Sequence, residues 1–212
     1  MNSLYLYIPC ALSAYLFGSI NPAIILSKLV YHRDIRTLGS GNPGFTNFKR
    51  VFGGRYAWLV FFLDIFKGVL LCLIFCPIFN KYMGSYQLGA AFTGLFSMIG
   101  HSFPVWYRFK GGKGFLVGAA TIWFIDWRAG LVALIVMLLL LFATKYMSLS
   151  VMIAALTCPI TLRLIGTDSL AVVWLCLAGV CLMIVRHAGN IKRLLSGTEA
   201  KFHLLDKEKT SD

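Results

Sequence analysis

The sequence predicts an all-α integral membrane protein of about seven transmembrane helices, with the N-terminus outside, the C-terminus cytoplasmic and the cytoplasmic-side loops forming a site. Three observations carry this. Hydrophobic residues make up 58% of the chain at a mean hydropathy of +0.77, more apolar surface than 212 residues can bury in a soluble core. Charged residues are only 13%, where soluble domains hold roughly 25%. The basic residues, finally, are shared very unevenly between the two ends of the apolar stretches.

Seven such stretches can be drawn, at 4–30, 56–79, 86–100, 115–125, 129–144, 148–164 and 169–185. About 20 residues cross a bilayer core, so the first two are long enough outright. The third and fourth are short. They are expected to be tilted, packed inside the bundle, or half-helices that leave the loop between them dipped into the membrane, where protein or water must cover its backbone. In the first stretch Ser19 and Asn21 beside Pro22 mark a kink, satisfying freed backbone or lining a site. Asp64 and Lys67 stand three apart on one helical face and read as a neutralised pair inside the bundle. All six cysteines fall within apolar stretches without Cys-x-x-Cys or zinc-ligand spacing, so they read as small hydrophobes and no metal is expected.

With seven spans, 16 of the 20 lysines and arginines fall on one side; Lys81, Arg128 and Arg163 fall on the other, and Lys67 lies within a span. Positive charge accumulates on the cytoplasmic side, which sets the orientation. No basic segment precedes the first apolar run, which argues against a cleaved signal peptide. The expected organisation is one membrane domain, 1–202, with a polar cytoplasmic tail, 203–212. A net charge of +12 would point to nucleic acid in a soluble protein. Here it follows from loop placement, and no nucleic-acid partner is expected.

Three polar segments on the basic side are richer than connectors need to be. In 100–114, Gly111, Gly112 and Gly114 free the backbone for close approach while Arg108, Lys110 and Lys113 bring positive charge, the composition of an anion cradle. At a membrane edge this points to chemistry on something phosphorylated that meets lipid. It is not a Walker A loop, because Gly112-Lys113 is followed by glycine and no strand precedes it. In 34–50, Gly39, Gly41 and Gly44 alternate with Ser40, Asn42, Thr46 and Asn47 ahead of Lys49 and Arg50, a denser set of donors than turn chemistry requires. In 186–199, His187, Asn190 and Arg193 recur every three residues, on one face of a helical extension. Its Leu194 and Leu195 can rest on the membrane surface. Familiar catalytic patterns are missing: there is no Gly-x-Ser-x-Gly elbow, no carboxylate cluster for a metal, and no histidine followed five positions later by aspartate.

These segments resemble the bacterial acyl-phosphate:glycerol-3-phosphate acyltransferases (the PlsY family). The resemblance rests on Ser40-Gly41-Asn42 through Thr46-Asn47 to Arg50, and on Gly100-His101 and Phe103-Pro104 through Gly111-Gly112-Lys113-Gly114. It continues through His187, Asn190-Ile191, Arg193-Leu194, Gly197 and Glu199, with Asp64-x-x-Lys67-Gly68 in the second span. It runs from the first span to about Phe202. It implies transfer of a fatty acyl group from acyl phosphate to the 1-hydroxyl of glycerol 3-phosphate, giving lysophosphatidic acid and phosphate, the first acylation of phospholipid synthesis. The implied location is the bacterial cytoplasmic (inner) membrane, with the active site on the cytoplasmic side and a transient contact with the soluble enzyme that makes acyl phosphate. A mixed anhydride is already activated, so no cofactor is implied. The protein has to hold two anions together and stabilise a tetrahedral oxyanion.

Carried over by motif, Lys113 with Gly111, Gly112 and Gly114 holds the glycerol 3-phosphate phosphate. Ser40, Asn42 and Thr46, in one loop with Gly41 and Asn47, bind the acyl-phosphate head and the oxyanion, and Arg50 neutralises phosphate charge. His187 and Asn190 orient the attacking hydroxyl, and Glu199 braces a basic cluster that includes Arg193. His101 and Ser150 are further substrate contacts. The proton acceptor stays open between His187 and a substrate phosphate. Two rival readings remain. A small transporter or flippase of phosphorylated metabolites would be expected to show an inverted repeat. An acyl-CoA-dependent acyltransferase would turn over thioesters, and the missing His-x4-Asp pattern disfavours it.

Overall fold

A computed structural model of the chain describes residues 4–202, so the expected tail, 203–212, lies outside the described residues. Those residues fold into ten α-helices, with two longer loops, before α3 and before α6, that each carry one 3-10 turn, and with no strand among them. Helices α1 (Leu4–Gly18) and α2 (Pro22–Tyr31) form a single broken span. The break comes where the sequence predicts it. Pro22 opens α2 without needing a donor, and Asn21 caps it by accepting the Ile24 N–H at 3.0 Å. In a continuous helix that N–H would reach the Ile20 carbonyl. The cap diverts it and leaves the carbonyl free. The Asn21 amide also donates to the Pro43 carbonyl at 3.1 Å, tying the kink to the loop that follows.

That loop leads into α3 (Phe45–Phe52), a short helix with Phe45 and Phe48 buried and Arg50 exposed. The bundle continues with α4 (Gly54–Met83), α5 (Tyr86–Ser102), α6 (Phe115–Ile125), α7 (Trp127–Thr144), α8 (Met147–Ile165), α9 (Leu170–Arg186) and α10 (Ala188–Leu195). Five segments, counting α1 and α2 together, are long and apolar enough to cross a membrane, and α9 reaches that length only when taken together with α10, which is bent from it by 57°. The fourth predicted stretch is α6, and it falls short. Its 11 residues rise about 16 Å, half a hydrocarbon core of about 30 Å. It is packed among α4, α5, α7, α8 and α9, the inside-packed arrangement among those expected. Large apolar side chains such as Phe142, Leu164 and Trp174 point outward from the bundle, as hydrocarbon surroundings require.

Helices α1 and α5 meet backbone to backbone. A Cβ on Gly100 would stand 2.2 Å from the Tyr15 carbonyl oxygen, and one on Gly18 would stand 2.5 Å from that of Ser97. Much of the interior is apolar, with Cys10, Cys72, Cys76 and Cys158 buried as small groups and no cysteine in a disulfide. One polar junction interrupts it. Lys67 Nζ lies 2.8 Å from Asp64 Oδ1, 2.8 Å from His101 Nδ1 and 3.0 Å from the freed Ile20 oxygen. All three side chains are at most 4% exposed.

Replacing Lys67 by methionine keeps the volume and removes the charge, leaving the buried Asp64 without its cation. Lys67→Met is expected to cost about 3 kcal/mol or more, seen as a lower melting temperature in detergent. Adding Asp64→Asn should recover most of the loss. A melting temperature unchanged by Lys67→Met would contradict the junction's role.

Candidate active site

A cavity of about 430 Å³ opens at the end of the bundle where the three polar segments meet. The first turns of four helices line it: Thr46 in α3, Phe115 and Leu116 in α6, Met147 and Ser148 in α8, and Asn190 in α10. None of these helices has a side-chain cap. Each therefore keeps first-turn N–H groups unclaimed by a cap, together with the positive end of its dipole. Arg50, Lys113 and Arg193 add full positive charges to the same walls.

Glu199 organises these cations. Its Oε1 accepts from Ser148 Oγ and from Asn190 Nδ2, each at 2.6 Å, and its Oε2 accepts from Arg193 Nε at 2.7 Å. Burial pushes this carboxyl up, but the three hydrogen bonds outweigh it and hold the group below the usual carboxylate range. Lys113 Nζ donates to Asn190 Oδ1, completing the chain from Lys113 through Asn190 to Glu199. Burial pulls the Lys113 ammonium down to about 8; the Glu199 carboxylate opposes this, while the charges of Arg193, Arg50 and Arg186 add to it. His187 sits at the break between α9 and α10, with Nδ1 2.8 Å from the Met183 carbonyl oxygen. That nitrogen must carry the proton, so Nε2 keeps its lone pair. Burial, and then the Lys113 charge, push His187 down to about 4, so it is neutral near pH 7.

The loop before α3 is held from below. Asn47, 2% exposed, accepts the Ser40 N–H at 2.9 Å and donates to the Leu38 carbonyl at 3.0 Å. Arg36 joins this loop to the next: its Nη1 donates to the Tyr107 carbonyl at 3.0 Å while its Nε and Nη2 grip Asp34.

The glycine turn differs from the expected cradle. A Cβ on Gly112 would meet His101 Nε2 at 2.1 Å, and one on Gly111 would meet the His101 carbonyl oxygen at 2.2 Å. The Gly112 N–H donates to that same oxygen at 3.0 Å. Both glycine carbonyls accept from Arg186, through Nη2 at 2.9 Å and Nε at 3.1 Å. These two residues are glycine so that the turn can lie flat on His101, and neither lines the cavity; Gly114 does. His101 lines the cavity but gives Nδ1 to Lys67 and packs Nε2 against Gly112.

The structure thus brings Ser40, Asn42, Thr46, Asn47, Arg50, His101, Lys113, Gly114, His187, Asn190, Arg193 and Glu199 to one cavity. It leaves out Gly111, Gly112, Gly41 and Ser150. Gly41 donates its N–H to the Leu38 carbonyl within its own loop at 2.9 Å. Ser150 is fully buried and returns its hydroxyl to the Tyr146 carbonyl at 2.9 Å, a bond inside α8. Ser148, two residues earlier, is the serine that reaches the site. Arg186 and Phe202 were also not singled out by sequence. The first looks like any basic residue after a last span, and the second follows the last motif.

An apolar cleft of about 390 Å³ adjoins the polar cavity, and the two share Phe61, Phe115, Leu116 and Met137. Small residues, among them Gly94, Gly118, Ala119, Ala155 and Gly179, open its width between α5, α6, α8 and α9. A helical membrane protein whose cation-rich cavity adjoins an apolar cleft is of the class suited to ligands that are part phosphate and part hydrocarbon. The family model for glycerol-3-phosphate acyltransferase matches residues 8–197, and the chain belongs to that family.

The chain is 40% identical over 191 residues to the glycerol-3-phosphate acyltransferase of Thermoanaerobacter pseudethanolicus, covering 90% of this chain and 93% of that one. It is 36% identical over 188 residues to the enzyme of the same name from Francisella tularensis subsp. mediasiatica, covering 89% of each. The fold matches the crystal structure of PlsY (YgiH), an integral membrane glycerol 3-phosphate acyltransferase, in its glycerol 3-phosphate form. The TM-score is 0.84 at 35% identity, over 93% of this chain and 96% of that one. The lysophosphatidic acid form of PlsY matches with a TM-score of 0.80 at 34% identity, over 93% and 95%.

If the glycines at 111 and 112 serve packing, a single methyl group there should be felt as a clash. Gly112→Ala is expected to destabilise by about 2 kcal/mol, read as a lower melting temperature in detergent. Gly189→Ala is the control, since a Cβ there meets nothing closer than 3.6 Å. Equal melting temperatures for the two variants would return Gly112 to a purely ligand-binding role.

Proposed function

We propose that this chain is a glycerol-3-phosphate 1-O-acyltransferase of the bacterial cytoplasmic membrane that takes its acyl group from a fatty acyl phosphate. The observation that carries this reading is the meeting of four uncapped helix starts and three cations in one cavity that opens into an apolar cleft. Two phosphate groups and one hydrocarbon chain are what such a site accommodates. Seven apolar segments with the basic residues gathered at one end support an N-terminus outside and a site on the cytoplasmic side.

The acyl chain lies in the cleft beside α6, and its carbonyl stands at the shared boundary of Phe115 and Leu116. Ser40, Asn42 and Thr46 at the start of α3 hold the acyl-phosphate head with Arg50. Lys113 holds the phosphate of glycerol 3-phosphate, aided by the start of α6 at Gly114. Gly111, Gly112 and His101 act one step back, by fixing the turn that carries Lys113. The 1-hydroxyl attacks the carbonyl carbon, the bond from that carbon to the phosphate oxygen breaks, and phosphate leaves. A neutral His187 with an open Nε2 accepts a hydrogen bond from the attacking hydroxyl and aims it. The proton goes to a substrate phosphate oxygen, an assignment that the His187→Gln variant below tests. Asn190 and Glu199 hold Lys113 and Arg193 against each other's repulsion.

The deciding experiment supplies the purified protein in lipid with palmitoyl phosphate, with and without glycerol 3-phosphate, and in parallel with palmitoyl-CoA. Lysophosphatidic acid formed from the acyl phosphate alone is the expected result. Turnover of the thioester alone would overturn the donor, and no turnover by folded protein would favour a transporter.

Two finer outcomes follow. The Lys113 charge is present below pH about 8 in the free protein and is lost above it. The kcat/KM for glycerol 3-phosphate should therefore fall as pH rises through that value, and Lys113→Arg should move the fall upward because guanidinium stays charged. An unshifted profile would dismiss Lys113 as its source. His187→Gln, which still offers an acceptor, should lower kcat less than about tenfold, because loss of a true general base costs 10²–10⁴-fold. A loss of about a hundredfold or more would make His187 the base.

A further inference from the structure

We infer that residues 197–202 form a strap that keeps bulk water from the reacting carbonyl, and that Phe202 is its closing side chain, deciding between glycerol 3-phosphate and water as acceptor. The inference rests on the acyl-phosphate reading above. The sequence motifs end at Glu199, yet the chain does not leave the site there. It reverses at Gly197, whose φ of +68° suits glycine, and the Thr198 N–H closes the turn onto the Arg193 carbonyl at 2.8 Å. Glu199 then fastens the strap to α8 through Ser148 and to α10 through Asn190 and Arg193. Three residues on, the Phe202 N–H donates to the Lys145 carbonyl at the α7–α8 corner, at 2.7 Å. Its ring stands 6.5 Å from the Phe45 ring of α3, and the Lys49 ammonium lies over it at 5.1 Å.

The strap is thus fixed at both ends and in the middle, running from α10 to α3, and Thr198, Glu199, Ala200 and Phe202 all form part of the cavity wall. Phe202 is its one large apolar member, set with Phe45, Phe61 and Met147 in the same wall. A purely binding role for this segment would end at Glu199. A wall of hydrocarbon there suits a different need. Water attacks the same carbonyl carbon of an acyl phosphate, the carbon–oxygen bond to phosphate breaks, and fatty acid and phosphate form with the surplus protons passing to solvent. A closed site suppresses such side reactions.

The test uses the full chain in lipid nanodiscs with palmitoyl phosphate, measuring phosphate, palmitate and lysophosphatidic acid with and without glycerol 3-phosphate, corrected for spontaneous hydrolysis. The wild type should form one lysophosphatidic acid per phosphate with little palmitate. Phe202→Ala should raise palmitate release without acceptor about tenfold and lower the lysophosphatidic acid formed per phosphate. Phe202→Leu, which keeps apolar bulk, should retain the wild-type ratio. Unchanged palmitate release and ratio in Phe202→Ala would overturn the strap, and so would a proportionate fall in both products, which marks a merely structural loss. A wild type that makes no lysophosphatidic acid from palmitoyl phosphate would overturn the acyl-phosphate reading itself, and the strap with it.

Discussion

One buried ammonium group ties the fold to the site. Lys67 is surrounded by hydrocarbon helices, where a lone charge is among the most costly groups a protein can carry. It is tolerated because three partners converge on it: the Asp64 carboxylate on its own helix, His101 from α5 and the Ile20 carbonyl from the first span. Each partner is available for a separate local reason. Asp64 is one turn away, His101 ends the helix that lies flat against α1, and Ile20 has lost its helical donor to the Asn21 cap. The kink, the α1–α5 contact and the α4 pair are therefore one arrangement, and none could move without uncovering the charge.

The same junction reaches the chemistry through His101. With Nδ1 taken by Lys67, the imidazole becomes a fixed plate on which Gly112 lies, Gly111 packs on the His101 carbonyl and Pro104, and Arg186 holds both glycine carbonyls while resting on the Phe103 ring. Lys113 follows directly from this clamped turn. Its ammonium is thereby held in a half-closed site that disfavours charge, as its depression to about 8 shows. Holding a cation where it is poorly solvated is costly in the empty protein and favourable once an anion arrives. The junction, the glycine turn and Glu199 together bear that cost.

Much of this was legible in the sequence, and the failures have a common cause. The apolar stretches, the kink at 19–22 and the three polar segments follow from local composition, which dictates local structure. The cavity duly gathers Ser40, Arg50, Lys113, His187, Asn190 and Glu199. What composition cannot tell is which face of a backbone is turned where. Gly111 and Gly112 read as exposed N–H donors, but their absent side chains make room for His101. Ser150 reads as a substrate contact, but two residues of α-helix turn the chain by about 200°, enough to send the Ser148 hydroxyl to Glu199 and the Ser150 hydroxyl back into its own helix. Arg186 carries no signal at all, because a basic residue after a last span is what orientation alone would place there.

The anion-attracting character survives the loss of the glycine cradle because it was never dependent on it. Helices α3, α6, α8 and α10 all begin at the cavity without side-chain caps, so the partial positive charge of four dipoles is left for a ligand to complete. This fits the turn-rich make-up of the polar segments, each of which ends one helix and starts the next at the cavity. It also accounts for the shortness of α6. Its work is to begin at Gly114 and to run beside the apolar cleft, and 11 residues suffice for both.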